Sequence, residues 1–143
     1  MSEAEAETSA AEVSNQAIAA IRDAKGAFTE FQKLIDEACE HFEDGDDQSG
    51  LSVFRTIISG LEDFAEFSLT IRKVFLLCEM ESIIDYTENC ENYTNTLATL
   101  MDAMEVSDYV SIADQLNFDL RTILSKFEKM MDDFVEKNVE SNA

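Results

Sequence analysis

The sequence predicts an all-α protein, an antiparallel up-down bundle of four long helices. Apolar residues recur at alternating steps of four and three along most of the chain, which is the spacing of a helix face that packs on a partner helix. The chain has no proline and four glycines, whereas sandwiches and barrels need frequent turn signals. Hydrophobic residues make up 45% of 143 residues, enough for one domain with a buried core. We expect helices at residues 10–44, 51–78, 83–105 and 108–137, with the single domain spanning 9–137.

The first helix is expected to follow a disordered acidic tail at residues 1–8. Ser9 and Glu12 form a capping box, in which each side chain accepts a hydrogen bond from a free backbone N–H. A helix of this length would extend for about 50 Å. Gly26 lies inside it and costs about 1 kcal/mol relative to alanine, so we interpret Gly26 as a point of close helix contact. The apolar row is Ala17, Ile21, Ala24, Phe28, Phe31, Ile35, Ala38 and Phe42.

An acidic segment at residues 43–50 separates the first two helices. Asp44, Asp46 and Gln48 match positions 1, 3 and 5 of a calcium-binding EF-hand loop. Ser49 and Arg55 occupy the positions that require glycine and a bidentate glutamate. Because a cation at the closing position repels calcium, we interpret the segment as a solvated turn.

The pattern of the second and third helices predicts an interruption at residues 79–82. The row of the second helix, continued past Cys78, would fall on polar residues, and a shift of one residue restores an apolar row. One continuous helix over residues 51–105 is the alternative, and it would expose a long apolar edge unless the protein dimerised. We favour two helices. The shifted row is Ile83, Thr87, Cys90, Thr94, Leu97, Met101 and Met104.

The last helix carries an unbroken apolar row with alternating steps of four and three. A corner at residues 106–108 precedes it, with Ser107 or Asp108 as its N-cap, and residues 138–143 are expected to fray. A second row of Ile112, Leu124 and Met131 predicts contact with more than one neighbouring helix. The main apolar row is Tyr109, Ala113, Leu116, Leu120, Ile123, Phe127, Met130 and Phe134.

The net charge of −21 excludes whole classes of partner. Without a basic stripe the chain is not expected to bind nucleic acid or an anionic membrane. High solubility and attraction to a basic partner both remain open. No targeting segment or membrane span is visible, and three cysteines at unpatterned spacings indicate reduced thiols. We therefore expect a cytoplasmic protein.

No catalytic constellation is visible, so we do not expect an enzyme, a cofactor or a metal site. The only histidine, His41, lies near Glu37 and Glu40, where the negative end of the helix dipole favours it. Nucleophilic catalysis needs a base beside a nucleophile, and zinc sites need paired ligand spacing. The abundant carboxylates are interpreted as a solvated face.

Methionines supply the one candidate site, a partner groove at the ends of neighbouring helices formed by Met101, Met104, Met130 and Met131. Methionine clusters line adaptable binding surfaces, although they also fill gaps in cores. We predict a non-catalytic protein-interaction module, adaptor or export-chaperone-like, that binds a partner helix. The alternative is an acidic nucleic-acid-mimic inhibitor of a basic protein. Monomer and homodimer both remain open.

The last helix also carries a family resemblance. Residues 107–120, with the sequence SDYVSIADQLNFDL, resemble the C-terminal motif of an uncharacterised family of small helical bacterial proteins, a domain of unknown function. Residues 60–64 resemble an earlier segment of that family. The resemblance is centred on residues 107–127 and covers roughly 28–130. It implies a helical fold and a bacterial cytosolic origin, and it supplies no site residues. A looser likeness in size, acidity and helicity to the chaperones of flagellar and type III secretion concerns shape alone.

Overall fold

The computed structural model describes the backbone of residues 3–141 and the side chains of residues 11–139. This part of the chain is all-α and contains no strand, which confirms the predicted fold class. The helices are α1 (Glu3–Glu43), α2 (Asp47–Leu77) and α3 (Ile83–Glu105). The last helix consists of α4 (Tyr109–Asp114), a π-helical turn (Gln115–Leu120) and α5 (Arg121–Ser141), joined without a break in the helical backbone.

The four helices surround one core, and neighbouring helices run in opposite directions. α1 packs on α2 and on the last helix, and α3 packs on the same two neighbours. In each adjacent pair, the residue numbers of the contacting residues increase along one helix and decrease along the other. Between α1 and α2 the contacts are Phe28–Phe64 and Phe42–Gly50, and between α3 and α2 they are Tyr93–Leu61 and Tyr86–Ser68. Between α3 and the last helix they are Asn89–Ile123 and Thr99–Gln115, and between the last helix and α1 they are Arg121–Asp36 and Asp132–Lys25.

The bundle begins and ends beyond the predicted boundaries. α1 starts at Glu3 and α5 ends at Ser141, so the backbone is helical at residues 3–8 and 138–141, within the segments where a disordered tail (1–8) and fraying (138–143) are expected. Residues 1–2 and 142–143 lie outside the described residues. Glutamate and alanine dominate the first residues, and both favour helix strongly, so the capping box at Ser9 does not start the helix.

A tight turn joins α1 to α2, and Asp46 closes it. Gly45 has a positive φ of 79°, a conformation that glycine adopts without steric cost. The carboxylate of Asp46 accepts a hydrogen bond from the backbone N–H of Ser49 at 3.2 Å, so α2 starts at Asp47, earlier than predicted. Hydrogen bonds from the Ser49 hydroxyl and N–H lower the pKa of Asp46. The Asp46 carboxylate therefore serves to cap the N-terminus of α2. Within the described residues, no cluster of histidine, cysteine, aspartate and glutamate side chains could hold a metal ion.

The predicted interruption between α2 and α3 is confirmed, and the continuous helix over residues 51–105 is wrong. Glu79 adopts a positive φ of 52°. The backbone N–H of Met80 donates to the carbonyl of Phe75 at 3.0 Å, and the Met80 side chain is buried. The chain therefore reverses around a methionine that is anchored in the core.

A second tight corner joins α3 to the last helix, and it resolves which residue caps that helix. Ser107 takes a positive φ of 57°. Asp108 is the N-cap, since its carboxylate accepts from the backbone N–H of Ser111 at 3.1 Å and from the Ser111 hydroxyl at 2.8 Å. A side-chain acceptor at this position satisfies a backbone donor that has no partner in the first helical turn.

The buried face of α3 differs from the predicted row. Of that row only Cys90 is buried, and the buried residues are Tyr86, Asn89, Cys90, Tyr93, Leu100 and Ala103. The tyrosine hydroxyls donate to backbone carbonyls of α2, Tyr86 to Ser68 at 2.8 Å and Tyr93 to Leu61. A buried tyrosine is stable when its hydroxyl finds such an acceptor. The residues that looked polar in the sequence therefore form the core contact.

In the last helix, most of the predicted apolar row is buried. The exceptions are Tyr109, Ala113 and Met130, which are half-buried. The π-helical turn was not predicted. The buried residues Ile112, Leu116, Leu120 and Leu124 follow one another at steps of four, and each such step advances about 40° too far around an α-helix. A turn with i→i+5 hydrogen bonds takes up this excess and keeps the four side chains facing the core.

Two glycines in α1 and α2 have opposite surroundings. Gly26 is exposed, and a Cβ added there would meet no atom within 4 Å, so the interpretation of Gly26 as a close helix contact is wrong. At Gly50 a Cβ would lie 2.6 Å from Cε1 of Phe42. The Phe42 ring is in turn stacked on Tyr109, with centroids 5.7 Å apart. Close helix contact therefore occurs at Gly50.

Alanine substitutions should separate these two glycines. Gly26→Ala is expected to raise the free energy of unfolding by about 1 kcal/mol, because alanine is the better helix former. Gly50→Ala is expected to lower it by about 1–3 kcal/mol, because the new methyl group forces the Phe42 ring off Tyr109. Urea denaturation followed by circular dichroism measures both. Stabilisation by Gly50→Ala would contradict the packing of Phe42 against α2.

Candidate functional site

An apolar groove lies on the surface between α1 and α2, and we call it the α1–α2 groove. It has a volume of about 430 Å³, within the range of roughly 300–1,000 Å³ that is common for ligand sites. Ten residues line it. Those from α1 are Ala24, Ala27, Glu30, Phe31 and Leu34, and those from α2 are Thr56, Gly60, Asp63, Phe64 and Phe67.

Antiparallel pairing of α1 and α2 sets the length of this groove. Phe31 lies against Gly60, so residues before Phe31 face residues after Gly60. Ala24 therefore faces Phe67 at one end, and Leu34 lies opposite Thr56 at the other. The ten steps from Ala24 to Leu34 correspond to about 15 Å, or three helical turns.

Small residues keep the groove open. Ala24 and Ala27 contribute little bulk from α1, and Gly60 contributes no side chain from α2. A Cβ at Gly60 would lie 2.9 Å from Cε1 of Phe31, so the absence of a side chain at this position lets the Phe31 ring lie against α2. The groove thus has depth because small residues stand on both of its walls.

Phe64 forms a rigid floor that connects the groove to the core. It is 5% exposed, and the floor beside it is formed by Phe31, which is also buried, and by the half-buried Phe67 and Leu34. The Phe64 ring lies within 6.2 Å, centroid to centroid, of five other rings. These belong to Phe28, Phe31, Phe67, Tyr93 and Phe127. The groove floor therefore cannot move independently of the core.

The rim of the groove is acidic. Glu30 on α1 and Asp63 on α2 are exposed, and none of the ten lining residues is basic. By the same antiparallel pairing, Glu30 lies near the level of residue 61 and Asp63 near the level of residue 28. The two carboxylates therefore stand on opposite walls, close to the middle of the groove.

The structure does not bring the four predicted methionines together. Met101 and Met104 lie near the end of α3, whereas Met130 and Met131 lie on α5, near the start of α3. Measured from the contact between Thr99 and Gln115, Met104 and Met130 are displaced in opposite directions, about 30 Å apart along the bundle. Met131 is fully buried. The predicted methionine groove is wrong because α3 and α5 are antiparallel, so the C-terminal end of α3 lies far from the methionines of α5.

His41 and the three cysteines do not come together in one site either. The His41 imidazole lies 3.9 Å from the Glu37 carboxylate, one helical turn earlier. Burial raises the pKa of the thiols of Cys39, Cys78 and Cys90, which keeps them in the less reactive protonated form at neutral pH. Cys39 is two residues from His41, and residues at this spacing do not face each other on a helix.

The sequence contains a signal for the α1–α2 groove that lies outside the heptad rows. Phe67 falls outside the predicted apolar row of α2, yet it shares a helix face with Gly60. That row is Phe54, Ile57, Leu61, Phe64, Ile71, Phe75 and Cys78. On α1, Ala24, Ala27, Phe31 and Leu34 repeat at steps of three and four. Small and aromatic residues on the flank of a core row are the pattern that, in this protein, marks the groove.

Fold and groove together define a small four-helix-bundle protein with an acidic surface and an apolar groove between its first two helices. The family model described as Domain of unknown function (DUF8042) matches residues 12–135, and the chain belongs to this family. The predicted membership of an uncharacterised domain family is thereby confirmed.

No curated protein matches the chain in sequence, and no solved structure matches it. Among the helices in the described part of the chain, we find no candidate for a segment that spans a lipid bilayer.

Proposed function

We propose that this protein is a non-catalytic protein-interaction module, of the adaptor or export-chaperone type, that binds an amphipathic helix of a partner in the α1–α2 groove. The observation that carries the proposal is the groove itself. It is lined mainly by apolar residues, in a protein with 31 acidic residues. A contiguous apolar surface with a polar rim is typical of an interaction site.

A helix is the occupant that suits the shape of the groove. Two antiparallel helices bound it, so it runs parallel to their axes over three turns. An amphipathic helix can place an apolar row at positions i, i+3 or i+4, and i+7 along such a groove. About ten residues of the partner would cover the distance between Ala24 and Leu34.

The distribution of acidic residues supports a binding module more than a nucleic-acid mimic. A mimic needs carboxylates concentrated in one stripe, spaced like phosphates. Exposed acidic residues instead occur on all four helices, for example Glu30, Asp36, Glu40, Glu62, Asp63, Glu66, Asp85, Glu88, Glu91, Asp114, Asp119 and Asp133. Exposed carboxylates on every helix keep a protein soluble.

We also propose that the protein acts in the cytoplasm. Cys39, Cys78 and Cys90 are free thiols, and free thiols are typical of reducing compartments. Cell fractionation with an antibody against the protein tests this part of the proposal.

Filling the groove should abolish binding of a helical probe. The probe is a fluorescent synthetic peptide with a leucine row at helical spacing and glutamine elsewhere. Ala27→Trp places an indole in the groove and is expected to weaken binding at least about tenfold, because the leucine row loses its contact surface. Ala19→Trp, at an exposed position of the same helix, should change the affinity less than about twofold. Fluorescence anisotropy measures both.

Circular dichroism and urea denaturation check that both tryptophan variants remain folded. Equal weakening by Ala27→Trp and Ala19→Trp would show that the probe binds elsewhere. Absence of binding to the wild-type protein at millimolar concentration would remove the groove as a helix site.

A further inference from the structure

We infer that the partner helix is basic, with lysine or arginine on both flanks of its apolar row. The inference rests on the proposed function, since it concerns the occupant of the α1–α2 groove. The juxtaposition that carries it is an apolar floor between two carboxylates on opposite walls. A partner helix that lies in the groove presents its two flanks to these two walls.

The two rim carboxylates are available to a partner. Glu30 and Asp63 are exposed, and neither makes an ion pair with another residue of the described chain. Other carboxylates on the bundle are already engaged, as Asp132 is with Lys25 at 2.8 Å and Asp36 is with Arg121. The groove therefore offers two free negative charges to the flanks of a bound helix.

Charge also selects between the possible occupants. A second copy of this chain would bring together two molecules that each carry a net charge of −21, and like charges across an interface are costly. An acidic helix would meet the same repulsion at Glu30 and Asp63. A basic helix instead gains ion pairs with Glu30 and Asp63 at the rim.

Two synthetic peptides test the inference. They share one leucine row and differ only on the flanks, which carry lysine in one and glutamine in the other. At an ionic strength of about 0.15 M, charges separated by more than about 8 Å are largely screened, so the general acidity of the protein contributes little. The lysine peptide is expected to bind at least about fivefold more tightly, which is within the range of two exposed ion pairs.

Matched double variants locate the effect. Glu30→Gln with Asp63→Asn removes the rim charges, and Glu40→Gln with Glu62→Gln removes two exposed charges from the same two helices outside the groove. The rim pair should weaken binding of the lysine peptide about fivefold and leave the glutamine peptide unchanged. The outer pair should change either affinity less than about twofold.

The outcomes separate the inference from the proposed function. Equal loss in both double variants, or equal affinity of the two peptides, would overturn the selection of a basic helix. In that case, weaker binding of both peptides to the Ala27→Trp variant would still support the groove as a helix site. If Ala27→Trp left both affinities unchanged, the proposed function itself would fail.

Discussion

Phe127→Ala is expected to lower the free energy of unfolding by about 3–5 kcal/mol. Phe127 is 0% exposed. Its ring lies 5.2 Å from Tyr86, 5.5 Å from Phe64 and 5.9 Å from Tyr93, centroid to centroid. Alanine would remove the burial of a phenyl ring, leave a cavity and abolish three edge-to-face ring contacts.

Phe118→Ala is the matched control, because it makes the same phenylalanine-to-alanine change in the same last helix. Phe118 is 64% exposed on the π-helical turn, so truncation should change the free energy of unfolding by less than about 0.5 kcal/mol. Urea denaturation of both variants, followed by circular dichroism, gives the comparison. A loss at Phe118 as large as that at Phe127 would mean that the last helix presents a different face to the core.

Leu116→Ala is expected to cost about 2–5 kcal/mol, a large share of the 5–15 kcal/mol that is typical of a whole domain. Leu116 is 0% exposed and belongs to the π-helical turn, which packs against both α1 and α3. Because two neighbouring helices hold the site, the structure has little freedom to collapse into the cavity. The cost should therefore lie towards the upper part of this range.

Two controls accompany Leu116→Ala in the same denaturation experiment. Lys126→Ala, at an exposed position of α5, should cost no more than about 0.5 kcal/mol. Leu76→Ala repeats the leucine substitution at a side chain that is 49% exposed, and it should cost much less than Leu116→Ala. If the midpoint for Leu116→Ala shifts no further than those of the controls, the core contact of the π-helical turn is wrong.

The core and the groove are coupled through one side chain. Phe64 lies in the groove floor and also contacts the Phe127 ring. Phe127→Ala should therefore weaken binding of the helical probe in addition to destabilising the fold. Ala27→Trp fills the groove at an exposed position, so it should affect binding without a comparable loss of stability. This contrast separates loss of the site from loss of the fold.

The sequence by itself determined the fold class, the number of helices and the interruption between α2 and α3. A heptad row on a chain without proline leaves few alternatives to helix, and the change of phase after Cys78 located the break around Met80. The buried face of the last helix also followed from its apolar row, including Leu116, Phe127 and Phe134. These features depend on residues that are close together in the chain.

Only the tertiary structure decided the face of α3, the π-helical turn and the position of the groove. Tyr86 and Tyr93 are buried because carbonyl groups of α2 accept their hydroxyls, and periodicity contains no information about those acceptors. Met104 and Met130 lie far apart because antiparallel packing sets which helix ends meet. The groove exists because Gly60 of α2 lies against Phe31 of α1. Each of these features requires the relative position of two helices, which a repeat along one chain does not specify.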